Sequence, residues 1–130
     1  MTLQRLFVVV AAVEALYGLA GLGIPPSAVN ALLGWSLSPD GHWVTKLLGA
    51  ALLAQAATAW VLRRQPAPGV AVVLAGYQLA AVAVDAGVLA FLDGALANPL
   101  ARSSALIAIP THGALGVLLL VAAARARSAA

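Results

Sequence analysis

Four runs of about twenty residues, nearly free of charge, decide what this chain can become. They cover roughly residues 3–23, 43–62, 70–92 and 104–124. A helix needs about 17–25 apolar residues to cross the hydrocarbon of a bilayer, so each run suffices. A water-soluble core offers no room for all four. The 130 residues are 63% hydrophobic and 8% charged, whereas soluble domains carry about 25% charged residues. Lipid is therefore the expected solvent, and in lipid the backbone must satisfy its own polar groups. The fold class that follows is all-α: a transmembrane antiparallel four-helix bundle, one domain over residues 1–130.

The breaks between the runs carry turn residues. Pro25-Pro26 follows the first run, and Ser38-Pro39-Asp40-Gly41 precedes the second. Pro66-Ala67-Pro68-Gly69 forms a tight turn, and Asp93-Gly94 with Asn98-Pro99 brackets the last loop. Ser103 or Ser104 is the expected cap of the fourth span. The stretch from Ile24 to His42 is too long for a bare turn, and residues 27–33 within it predict a short interfacial helix between helices 1 and 2. The first run, interrupted by Glu14 and followed by three more spans, reads as a retained span and not as a cleaved leader.

Lys and Arg set the orientation. Arg5, Arg63, Arg64, Arg125 and Arg127 fall on the side of the termini, while Lys46 and Arg102 fall on the other. That bias puts both termini in the cytoplasm and the chain in the inner, cytoplasmic membrane. Trp35 and Trp43 then belong to the outer interface and Trp60 to the inner one. The net charge of +3 reads as a topology signal and as contact with anionic lipid headgroups, not as a nucleic-acid surface.

Polar residues inside the spans are the candidates for function, because an ionisable group at mid-bilayer costs at least about 2.5–3.5 kcal/mol. Two of the four acidic residues, Glu14 and Asp85, lie there. Glu14, Tyr17, Gly18 and Gly21 share one helical stripe, Gln78 and Asp85 align seven apart, and His112 shares a face with Leu115, Gly116 and Leu119. Lys46 and Gln55 stand on opposite sides of the second span, so only one can point inward, and Lys46 is near enough to the end to snorkel. The expected site is thus a polar pocket of Glu14, Tyr17, Gln55, Gln78, Asp85 and His112, in the middle and outer layers and reached from outside. Pro110 cannot donate to the Leu106 carbonyl, so a kink before His112 is expected, with Thr111 or water serving that carbonyl. Gly18, Gly21, Gly49, Ala50, Ala54, Ala57, Gly76, Gly113 and Gly116 read as points of close helix approach.

Much chemistry is missing. There is no cysteine and there are only two histidines, no HExxH, Walker or GxSxG pattern, and no expected metal or cofactor. Haem ligation by His42 and His112 on one ligand axis is not expected, since their predicted depths differ.

Two family resemblances add to this. Val13-Glu14-Ala15-Leu16-Tyr17-Gly18-Leu19-Ala20-Gly21, then Pro25-Pro26 to Leu33-Gly34, then Lys46-Leu47-Leu48-Gly49 resemble the DoxX-like small bacterial four-helix membrane proteins over the first half of the chain. That likeness implies the fold. Ala12-Val13-Glu14-Ala15 is similar to the proton- and drug-binding segment of the small multidrug resistance transporters, although the 24–42 loop is longer than that family's tight connections.

Three functions are compatible. The first is a protein that binds a lipophilic small molecule, or an accessory subunit of a homodimer or larger membrane complex. The second is an intramembrane enzyme, an isomerase or hydrolase acting on a lipid or isoprenoid, with Glu14, Asp85 and His112 as acid–base groups. The third is a proton-coupled transporter using Glu14. An enzyme requires Glu14, Asp85 and His112 to converge on a pocket. A transporter requires paired Glu14 residues in a dimer, and a packing role requires each carboxylate to be satisfied by a neighbour.

Overall fold

The computed structural model describes residues 1–92, 96 and 98–128, and all of its regular elements are helices. α1 spans Leu3–Gly23, α2 Pro26–Leu33, α3 Pro39–Leu62, α4 Pro68–Phe91 and α5 Pro99–Ser128. All but α2 are long and apolar enough to cross a membrane. Asp93 and Gly94, expected in the last loop, lie outside the described residues.

α1 has the bounds read from the sequence, but α3, α4 and α5 begin earlier, at Pro39, Pro68 and Pro99. α2 also opens on a proline, Pro26. The first N–H groups of a helix have no partner within it, so proline there loses nothing, and its fixed φ suits the first turn. Residues that look like breaks are helix starts. Ser38 Oγ accepts from Gly41 N–H at 3.1 Å, and Asn98 Oδ1 accepts from Leu100 N–H at 2.9 Å. The expected capping role of Ser103 or Ser104 is corrected. Both hydroxyls donate inside α5, to the carbonyls of Pro99 and Leu100.

Two close helix pairs dominate the packing. Gly18 of α1 faces Gly49 and Leu53 of α3, and Gly21 faces Thr45 and Gly49. Gly116 of α5 faces Ala75 and Leu79 of α4. α1 also meets α5, and α2 rests on α5. The docking point of α2 is Gly34, whose φ of 71° favours glycine and where an added Cβ would run into Asn98 and Ala101. Leu6, Phe7 and Val10 of α1, Ala59 of α3, Leu74 of α4 and Leu119 of α5 share one core, at the end carrying both termini. α3 and α4 are joined by a turn at residues 63–67, and helices so connected usually pack together. Here they do not form a close pair, since each is engaged by another helix.

Ala50, Ala54 and Ala57 lie on the exposed face of α3, and a Cβ at Gly76 would meet nothing within 4 Å. Their expected role in close approach is not seen. The outward faces are apolar, with Val61, Val73 and Phe91 72%, 73% and 84% exposed. α5 runs unbroken through Pro110, and the Thr111 hydroxyl donates to Ile107 O at 2.8 Å rather than serving Leu106 O.

Lys46 corrects the snorkelling expectation. Its ammonium donates to Leu22 O at 2.6 Å and Ile24 O at 2.8 Å. In a continuing helix the N–H of residue 26 would serve Leu22 O, but residue 26 is proline and has none. Lys46 supplies the missing donor and ties α3 to the end of α1. Hydrogen bonds to charged groups contribute about 1.5–3 kcal/mol. Lys46→Met should therefore lower stability by about 2 kcal/mol, read as a drop in unfolding midpoint in mild detergent.

Candidate functional site

α1, α4 and α5 each bring one polar residue into an otherwise apolar interior. Glu14 is 1% exposed and Gln78 0%. Gln78 Nε2 donates to Glu14 Oε1, and Gln78 Oε1 is hydrogen-bonded to His112 Nδ1. The helical period explains the meeting. Glu14 lies on the buried stripe with Ala11 and Gly18, Gln78 with Leu74 and Ala75, and His112 next to buried Leu115 and Gly116. The result is a linear chain of carboxylate, amide and imidazole crossing from α1 through α4 to α5.

Two tyrosines flank the imidazole. The Tyr17 ring lies 6.4 Å from the His112 ring at 36°, and the Tyr77 ring lies 6.5 Å away, edge-on at 90°. Tyr17 is 45% exposed, so the His112 end of the chain is the accessible one and the Glu14 end the enclosed one.

Neither of the other two expected members is hydrogen-bonded into this chain, although Asp85 is near enough to His112 for their charges to interact. Asp85 is half-buried, about two turns along α4 from Gln78, and no hydrogen bond joins it to Glu14, Gln78 or His112. Gln55 lies elsewhere. Gln55, Ala54 and Thr58 of α3 and Val70, Val73 and Tyr77 of α4 line a groove of about 370 Å³. The groove opens sideways between α3 and α4, in the half nearer the termini, not in the outer layer as expected. The physical reason is Lys46: its side of α3 is committed to the end of α1, which turns Gln55 the other way. Thr58 donates to Ala54 O at 2.8 Å, leaving the Gln55 amide and the Tyr77 hydroxyl as the free polar groups of the groove.

Tyr77 links the two features and was not singled out from the sequence. Next to Gln78 in the chain, it points about 100° away around the helix, so one ring edge faces His112 while the residue lines the groove. The only available signal was an aromatic hydroxyl inside an apolar span. No set of three or more His, Asp or Glu residues placed to hold a metal ion occurs among the described residues. Chemically, the arrangement can orient hydrogen bonds and present a polar patch to a ligand entering from the side.

No protein-family model, curated protein or solved structure matches the chain.

Proposed function

We propose that this chain is a small multi-pass membrane protein that holds a lipophilic molecule bearing a polar group. The molecule lies in the groove between α3 and α4, with its polar group at Gln55 and Tyr77. One observation carries the reading: a half-buried amide without a partner among the described residues, in an apolar groove between membrane-length helices. A polar group unpaired in hydrocarbon costs several kcal/mol, so a ligand that bonds it gains more than its apolar contacts alone supply. The volume falls within the range of small-molecule sites, about 300–1,000 Å³. On this reading the four long helices cross the inner membrane as an antiparallel bundle with cytoplasmic termini, α2 lies in the outer interface, and the kinship with DoxX-like proteins is one of fold. The five arginines at the termini end and the pairing of Gly18 with Leu53 and Gly21 with Thr45 support it.

The enzyme and transporter readings have less behind them. Asp85 stands outside the Glu14–Gln78–His112 chain, and none of these four residues lines the groove. Glu14 is held inside the chain by Gln78 and is not presented to a second copy.

The test fills the groove. Ala54→Phe with Val73→Phe places two rings in it without touching the core. Purified wild type should carry a lipophilic molecule, detected by extraction and mass spectrometry. The variant should carry about tenfold less, a difference of about 1.4 kcal/mol in affinity, with an unchanged unfolding midpoint. Equal amounts in both would overturn the ligand reading, and a co-purifying membrane subunit lost from the variant would replace it with the accessory one.

A further inference from the structure

The direction of the buried hydrogen-bond chain has a consequence at its accessible end. The Gln78 amide turns its NH₂ toward Glu14, with Nε2 donating to Oε1. The amide oxygen then faces His112 Nδ1. An amide oxygen also only accepts, so the ring proton must sit on Nδ1, and in the neutral ring Nε2 keeps a lone pair. We infer that Glu14 and Gln78 are positioning residues that lock His112 in its Nδ1–H tautomer and present Nε2 as a hydrogen-bond acceptor, for a ligand hydroxyl or amine between Tyr17 and Tyr77. Nε2 has no partner, yet the only fully buried side-chain polar atom without one, among the described residues, is Trp35 Nε1. His112 Nε2 is therefore reachable. Free imidazole side chains favour the opposite tautomer, with the proton on Nε2, so the lock is a measurable departure. It does not depend on the α3–α4 groove being the ligand site.

The test is ¹⁵N nuclear magnetic resonance of histidine-labelled protein in lipid bilayers, at a pH where the imidazole is neutral, with His42→Gln to leave one signal. The expected spectrum has Nδ1 protonated and Nε2 bare. Gln78→Leu and Glu14→Leu should each exchange the two assignments, whereas Asp85→Asn should leave them in place. A wild-type ring with its proton on Nε2 would overturn the inference even if neither substituted protein folds. An Nδ1 proton that survives Gln78→Leu in a folded protein would overturn it as well. For the ligand side, 1-dodecanol should shift the Nε2 resonance while dodecyl methyl ether, which has no donor, should not. Equal shifts from both probes would remove the acceptor role.

Discussion

Gly49→Leu should prevent α1 and α3 from pairing and cost the protein about 3 kcal/mol or more, at the upper end of what overpacking does. A Cβ at position 49 would stand 3.0 Å from Gly18 O, 3.1 Å from Leu22 N and 3.2 Å from Gly21 C. All three neighbours are backbone atoms, so no rotamer change relieves the contact. The helices must move apart, and the Lys46 bonds to Leu22 and Ile24 are strained with them. Gly116→Leu is a milder case, because its nearest neighbours are side-chain atoms of Leu79, at 2.8 and 2.9 Å. Gly76→Leu is the control: a Cβ there meets nothing within 4 Å, and its effect should stay within about 0.5 kcal/mol. The order of damage, position 49 above 116 above 76, is read from unfolding midpoints in detergent. An equal effect at positions 49 and 76 would mean that the two helices are not held at the glycines.

These glycines show what a sequence discloses and what it withholds. The four long helices are legible because each run is long and apolar enough to cross a membrane, a length that few soluble helices need. Glu14, Gln78 and His112 are legible for a related reason: polar groups are expensive among apolar ones, and helical period places each on an inward stripe. Which glycines mediate close approach is a different matter. Gly49 and Gly76 look alike in the sequence, and only the choice of partner helix separates them. Helix starts at Pro39, Pro68 and Pro99 were hidden because proline serves equally as a breaker and as a first-turn residue. Gln55 was misplaced because one of two opposed residues had to face inward, and the deciding fact was that Pro26 denies Leu22 O its donor. The groove depends on two successive helices each pairing elsewhere, which no local pattern records.

Gln78→Leu should be the most damaging substitution in the polar chain, more so than removing Glu14 and Gln78 together. It leaves the carboxylate of Glu14 and Nδ1 of His112 facing a hydrocarbon side chain, with Glu14 only 1% exposed. Leaving a buried group without its hydrogen-bond partner costs about 1–3 kcal/mol, and more where the group is charged; here two groups lose theirs. The average side-chain hydrogen bond between membrane helices contributes only about 0.6 kcal/mol, and the burial of Glu14 places this case with the former. Glu14→Leu strands a neutral amide and should cost less, about 1–3 kcal/mol. The double variant Glu14→Leu with Gln78→Leu leaves neither carboxylate nor amide to be satisfied, only His112 Nδ1. It should be more stable than Gln78→Leu alone, giving a coupling energy of about 1–3 kcal/mol by a double-mutant cycle. Strictly additive losses would show that the two side chains do not act as a pair. The same double variant separates stability from function. If the chain exists only to join three helices, the repaired protein should still shift its His112 Nε2 resonance with 1-dodecanol. If it exists to orient His112, the protein should fold and lose the acceptor at Nε2.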